Sequence, residues 1–333
     1  MSTPDLQVQL FQQLKDKLPP QSSLVDEVAS VLDISTDSAY RRIRNEKSMS
    51  LEEVYLLCSH FKLSLDALLN LQSDTFSFSG SFIETSSFQF DQWLKSVLQQ
   101  VKYMTGFREK KMYTVCKDIP IFHHFHFREL AAFKHFVWMK GIYNSPEFAR
   151  KKFSLKNYPS ELFELGQKAL SLYNQIDSVE IWSLETINST MRQIDYYHES
   201  NLFENEEEVM LIYESLEKLM THLDRQATLG YKFNVGETER NENGTFQMYL
   251  NEIIIGDNSI LASLDGSKIS FIIHTVANIM MTRDMRFCEN MYDSVQNLMK
   301  RSTQISSVSE RERARFFKYL RKRIAGRKQH LRL

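Results

Sequence analysis

The feature that most narrows what this chain can fold into is a pair of short helices joined by three residues near the N-terminus. Leu24, Val25, Val28, Ala29 and Leu32 recur at helical spacing, so one face of that segment is apolar and calls for burial. Asp33-Ile34-Ser35 follows. Ser35 is placed to cap a second helix over Thr36–Arg44, its hydroxyl accepting from a free first-turn amide. Ala39 and Ile43, four apart, share the face that meets the first helix. So short a connection holds one helix rigidly against the other.

The stretch VDEVASVLDISTDSAYRRIRNEKSMSLEEVYLLCSHFKLSLDALL resembles the Xre-type, or λ-repressor/Cro-like, helix-turn-helix DNA-binding domain. Ala29 matches the small residue where the two helices cross. Leu32 and Ile34 match the apolar pair flanking the turn, and Met49 to Leu69 resembles the two closing helices. The resemblance implies a sequence-specific transcriptional regulator whose Thr36–Arg44 helix reads double-stranded DNA. Thr36, Asp37, Tyr40 and Arg41 would face the major groove, with Ser35 and Ser38 beside them at the helix start. Arg44 and Lys47 would meet phosphates, which set orientation and affinity rather than sequence. Two positions depart from the family pattern. Asp33 stands where Gly is usual, and Asp tolerates the left-handed turn conformation better than most residues. Arg42 stands at a usually apolar position, so Ile43 is expected to take over that role, with the helix turned slightly.

Charge adds a condition. Residues 1–71 hold seven Lys/Arg and ten Asp/Glu, a net of −3, with the basic residues concentrated between Arg41 and Lys47. Non-specific affinity for DNA comes from neutralised phosphates, so one copy would hold DNA weakly and a homodimer on one site is expected. The same acidity favours a second reading, in which the helix-turn-helix scaffold is a protein-interaction module in a regulatory or defence complex.

The chain's 333 residues are enough for two domains, and its net charge of −1 gives no bulk attraction to polyanions. Gly and Pro are scarce (10 and 6) while Phe is abundant (23), which favours helices with aromatic cores. Cys58, Cys116 and Cys288 are odd in number and far apart, the pattern of buried thiols in a reducing compartment. No secretory leader and no run of apolar residues long enough to span a membrane is visible, so a cytoplasmic location is expected and a membrane partner is not.

The expected fold is mostly α: a five-helix domain over 1–71, a linker over 72–90, and a larger α+β regulatory or dimerisation domain over 91–333 with a small antiparallel sheet. Leu6, Leu10, Phe11, Leu14 and Leu18 mark the first helix, ended by Pro19-Pro20. Ser50 and Glu53 form a capping box for Leu51–Phe61, and Ser64 caps Leu65–Leu71. In the linker, alternation of Ser, Thr and Phe leaves room for short strands at Thr75–Ser79 or Ser86–Phe90. Beyond it, helices are expected over Phe90–Met104, Ile121–Tyr143, Pro159–Ile176, Val179–Tyr197, Glu204–Leu229, Met285–Lys300 and Ser309–Ile324. A capping box of Ser309 with Glu312 opens the last of these and Gly326 stops it. Phe246–Ile255, Ser259–Leu264 and Lys268–Met281 read as a three-strand meander joined by Gly256-Asp257-Asn258 and Asp265-Gly266-Ser267, with Lys111–Lys117 as a fourth strand.

Candidate chemistry in the larger domain is sparse. His123 and His126, three apart, could share a metal with Asp118 or Glu129, or serve as packing among Phe122, Phe125 and Phe127. Phe125, Phe133, Phe136, Trp138 and Tyr143 could line a pocket for an unknown small-molecule effector, or form plain core. Asn251, Glu252 and Asn258 are pocket donors or turn residues on the same terms. No nucleophile elbow, phosphate loop or dinucleotide fingerprint occurs, so an enzyme is not expected and no metal or cofactor is assigned. The segment from Arg311 to Arg332 carries ten Lys/Arg against Glu312 alone, with Phe317, Leu320 and Ile324 as an apolar seam. A basic amphipathic helix of this kind can touch nucleic acid, a membrane surface or an acidic partner, and neutralising Arg321–Arg323 tests the first of these.

Overall fold

Ser23 and Ser35 each cap a helix, and between those helices the chain turns through Asp33 in the left-handed conformation (φ 51°, ψ 50°). In the computed structural model, residues 6–18, 22–61, 63, 65, 76–80, 88–237, 243–253, 256 and 258–331 are described. The chain divides into two compact units, residues 1–77 and 78–333. Much of the expected linker, and all of the expected closing helix after Leu65, lie outside the described residues.

The first unit contains α1 (Leu6–Lys17), α2 (Leu24–Leu32), α3 (Thr36–Ile43) and α4 (Leu51–Phe61). Leu10, Phe11, Leu14, Val28, Ala29, Ala39 and Leu57 form its core. The Ser50–Glu53 capping box closes in both directions: the Ser50 amide donates to Glu53 Oε2 at 3.1 Å, and the Glu53 amide donates to Ser50 Oγ at 3.2 Å. Ile43 packs half-buried on this core as expected, but beside Arg42 rather than in its place. Arg42 keeps the inward place, only 4% exposed, and its guanidinium forms an ion pair with Glu53 of α4. An arginine stem packs like an apolar chain while its head finds a carboxylate, so α3 need not turn to bury Ile43 instead.

Among the described residues, the second unit is built on one mixed sheet of seven strands, in the order β6-β5-β4-β1-β2-β3-β7. The strands are β1 (Lys110–Cys116), β2 (Asp177–Trp182), β3 (Phe246–Leu250), β4 (Ser259–Leu264), β5 (Ser267–Ile273), β6 (Ile279–Thr282) and β7 (Thr303–Gln304). β1, β2 and β3 are parallel neighbours, and the remaining pairings are antiparallel. The expected small antiparallel sheet is therefore wrong. Parallel neighbours need long crossovers, which the helices supply. Between β1 and β2 run α6 (Ile121–His124), α7 (Arg128–Val137) and α8 (Ser160–Asn174). Between β2 and β3 run α9 (Asn188–Glu199) and α10 (Glu207–Leu229). Ahead of β1 lies α5 (Phe90–Thr105), and α11 (Met285–Lys300) and α12 (Glu310–His330) complete the unit.

Both faces of the central strands are buried. Met112, Cys116, Trp182 and Phe246 face the large core shared with α5 to α10 and α12, whereas Tyr113, Val115, Val179 and Ile181 pack under α11. This explains the helix wrongly expected over Val179–Tyr197: a strand covered on both sides has no clean polar face to betray it. Its first residues form β2, and α9 starts only at Asn188.

Other expectations change as well. The helix expected over Ile121–Tyr143 is broken into α6, α7 and a π turn at Trp138–Ile142. β3 and β4 are not neighbours in the sheet, so they form no hairpin, and Asp257 of the expected Gly256-Asp257-Asn258 turn lies outside the described residues. The run Lys268–Met281 splits into β5 and β6. The Asp265-Gly266 hairpin does form, with both residues at positive φ (45° and 84°), as a two-residue turn between right-twisted strands requires. Ser309 makes no side-chain cap, and α12 runs through Gly326. Ser79 bridges to Met281 of β6.

Candidate functional site

The outer face of α3 is an exposed polar surface that the sequence singled out. Its inner face is fixed by Ala39 and by Arg42, whose Nε donates to Glu53 Oε2 at 3.1 Å and whose Nη1 donates to the Ser38 carbonyl at 3.1 Å. Gln7 of α1 braces the chain after the helix. Its amide donates to the carbonyls of Arg42 and Lys47 at 2.8 Å each and accepts from the Met49 amide at 3.0 Å. No sequence pattern marked Gln7, because its partners are backbone groups more than thirty residues away.

Against that fixed frame, Thr36, Asp37, Tyr40, Arg41, Arg44 and Lys47 are exposed. The Arg44 guanidinium lies 5.5 Å from the Tyr40 ring centroid and 3.5 Å from the Glu46 carboxylate. Ser35 is exposed as well, whereas Ser38 is not. Ser35 Oγ accepts from the Ser38 amide at 3.3 Å, and Ser38 is half-buried beside Arg42. The cations Arg41, Arg44 and Lys47 share this region with Asp37, while Arg42 is taken up by Glu53. The Glu53 carboxyl is held below its ordinary range, first by the Arg42 hydrogen bond.

In the second unit the polar chemistry points inward. Glu180 of β2 is fully buried and accepts from Tyr173 Oη at 2.5 Å, Trp182 Nε1 at 2.7 Å and His123 Nε2 at 2.8 Å. Burial pushes its carboxyl up. The His123 imidazole and the three donors outweigh that and hold it below the usual carboxylate range. Lys232, also fully buried, sits 3.8 Å from the Tyr173 ring centroid. It donates to the Tyr173 carbonyl, the Ile176 carbonyl and Ser178 Oγ. Burial pulls its ammonium down to about 7. Sequence reading missed this network because Glu180 looks like a surface charge and its partners are far apart in the chain. The one available signal was the alternation of Ser178, Glu180 and Trp182 with Val179 and Ile181.

His123 and His126 do not converge on a common point. Their rings lie nearly parallel with centroids 6.1 Å apart, and His123 is turned to Glu180. Among the described residues no group of three or more His, Cys, Asp or Glu could hold a metal ion. Asp118 instead pairs with Lys134 of α7 at 2.8 Å, and Glu129 accepts from Ser215 at 3.0 Å. Burial pushes the Cys116 thiol up, which keeps it protonated and unreactive. Asn251 and Asn258 act as turn and strand-end acceptors, for the Ile253 and Asp118 amides.

The basic C-terminal segment finds its acidic partners within its own chain. Arg321 pairs with Asp224 and Lys328 with Glu217 on α10, at 3.1 and 2.9 Å, and Arg327 pairs with Asp195 on α9 at 3.1 Å. Phe316, Phe317, Leu320 and Ile324 bury the apolar seam. Arg311, Arg315, Lys318 and Lys322 line the opposite, exposed face and form no ion pair with a described residue.

Two clefts cut the second unit. One, of about 320 Å³, includes Phe136 and His135 together with the charged residues Asp91, Glu147, Lys151 and Lys152. The other, of about 730 Å³, lies between α5 and the β1-β4-β5-β6 side of the sheet. Phe125 and Phe133 line neither and belong to the core. No family model, curated protein or solved structure matches the chain. Among the described residues no helix is long and apolar enough to cross a membrane.

Proposed function

We propose that the protein is a sequence-specific DNA-binding transcriptional regulator of the Xre, λ-repressor-like kind, acting as a homodimer, with α3 as its recognition helix. One observation carries the reading: α3 is locked from behind by Arg42–Glu53 and Gln7, while Thr36, Tyr40 and Arg41 are exposed on its front and Arg44 is exposed just after it, beside Tyr40 and Glu46. A base-reading helix needs this combination, because side chains must reach base edges from a frame that does not move. Arg41 is the residue best suited to bidentate contact with guanine, worth about 1–3 kcal/mol of discrimination. Arg44 and Lys47 are suited to phosphates. Ser35 and Ser38 act by shaping the helix start. The second unit then supplies dimerisation and the response to an effector.

The protein-interaction reading has its own support. Leu51, Tyr55 and Leu56 of α4 are 72%, 68% and 45% exposed, and the first 71 residues carry a net charge of −3. A groove reader has no use for such an apolar set, whereas a protein partner would cover it.

Selection from a pool of genomic duplex fragments separates the two. The DNA reading predicts enrichment of a two-fold-symmetric site with half-sites about one helical turn apart. Failure to enrich any sequence at low salt would shift the assignment to the interaction module.

A further inference from the structure

The Lys and Arg side chains of α12 fall into two sets. Arg313, Arg321, Arg323, Arg327 and Lys328 turn toward their own chain and reach Asp224, Glu185, Asp195 and Glu217. Arg311, Arg315, Lys318 and Lys322 are exposed and form no ion pair with a described residue. Their spacing of four, three and four residues keeps them within about 60° of one another around the helix, in a straight row about 16 Å long. Glu310 and Glu312, the acidic residues of α12, are turned about 100° to either side of Arg311. The first unit is short of such cations. Residues 1–71 carry a net charge of −3, while attraction to DNA comes from cations that neutralise phosphates.

We propose that this row is a second nucleic-acid contact, which holds the phosphate backbone of duplex DNA without reading its sequence. It rests on the DNA reading for its partner. A straight row of like charges matches a partner whose own charges repeat along a line, about one for every 1.7 Å of duplex axis. An anionic membrane fits less well. A helix lying on a membrane inserts its apolar face, and here Phe316, Phe317, Leu320 and Ile324 are buried in the chain's own core. A protein partner would look for an apolar or aromatic anchor beside the charges. Tyr319 is the exposed large apolar residue of α12, 40% exposed, and the Arg323 guanidinium lies 5.7 Å from its ring centroid.

The test measures binding of the full chain to a duplex of scrambled sequence between about 50 and 200 mM salt. Three proteins are compared: wild type; the row variant Arg311→Gln, Arg315→Gln, Lys318→Gln and Lys322→Gln; and a control that removes as many exposed cations elsewhere on the second unit, Lys102→Gln, Arg150→Gln, Lys156→Gln and Lys168→Gln. Over this salt range the loss of affinity should shrink by about 3.5-fold for each phosphate contact removed in the row variant, from a slope of about 0.9 per phosphate, and should stay near wild type in the control. Unfolding midpoints of all three should agree, since the changes are at the surface. An unchanged slope in the row variant, or an equal change in the control, would overturn the proposal. So would row-dependent binding to phosphatidylserine vesicles with no effect on DNA. Failure of the α3 reading is separately visible: wild type would then show no preference for any selected sequence, while the row is still judged on the scrambled duplex.

Discussion

The two units handle charge in opposite ways. Among the described residues, the first buries a single charged head, Arg42, answered by Glu53 across one helix contact. The second draws Glu180, His123, Tyr173 and Lys232 into its centre. The difference teaches where recognition can occur. In the first unit, chemistry is displayed on a fixed helix. In the second, it is spent on holding β2 to α6 and α8 and on seating the buried Lys232.

The largest expected effect tests the inward network. Glu180→Ala leaves three buried donors without an acceptor, and it should destabilise the second unit by about 3–5 kcal/mol, the usual cost of breaking a buried charged cluster. Urea unfolding followed by tryptophan emission reads this cleanly, because Trp93, Trp138 and Trp182 all lie in the second unit. A loss under about 1 kcal/mol would mean that the network is not what holds the sheet.

The counterpart in the first unit should be milder and asymmetric. Glu53→Ala strands the Arg42 guanidinium and should cost about 2 kcal/mol. Arg42→Met, which puts an apolar chain at the same inward place, should be near neutral, since buried pairs are often replaceable by apolar packing. Circular dichroism of the two variants checks the order. Equal losses would show that Arg42 acts through its charge alone.

Acid should separate the units. Burial lowers His124 to about 3 and His135 to about 4 from an ordinary 6.5. The unfolded chain therefore binds protons first. The stability this gives is complete above 6.5 and is lost as pH falls toward the folded values, on the order of 1 kcal/mol per pH unit for each imidazole. In the first unit, the lowered Glu53 carboxyl contributes stability above its ordinary 4.5 that is lost as pH falls through its folded value. Tryptophan emission should thus report loosening of the second unit below 6.5 while the first stays helical by circular dichroism. Simultaneous loss of both signals would break the comparison.

Smallest is the effect of the exposed stripe on α12. Replacing Arg311, Arg315, Lys318 and Lys322 with Gln should change stability by no more than about 0.5 kcal/mol, as surface changes do. If these cations meet DNA phosphates, the salt dependence of binding should flatten by up to ~0.9 log unit for each phosphate no longer neutralised. An unchanged slope would confine α12 to its packing role.

The same contrast governs how much could be read from the sequence. Ser35, Asp33 and the Ser50–Glu53 box act on neighbours within a few residues, so their roles were legible, as was the Asp265-Gly266 hairpin. β2 was not, because Val179, Glu180 and Ile181 gain their meaning from strands and helices distant in the chain. The break after His124 and the pairing of β1 between β2 and β4 are likewise set by the sheet. The α3 face was nameable from its residues, whereas Gln7 and the inward Arg42 needed the fold. The larger cleft also needed it, since α5, β1, β4, β5 and β6 meet only in space.

The most direct test of the central claim measures affinity of the full chain for its selected duplex and for a scrambled duplex, at two salt concentrations, with and without Arg41→Ala. The account predicts that wild type prefers the selected duplex at both salts. Arg41→Ala should erase about 1–3 kcal/mol of that preference while leaving the unfolding midpoint in place. A preference untouched by Arg41→Ala, or no preference in wild type, would contradict α3 as a DNA-reading helix.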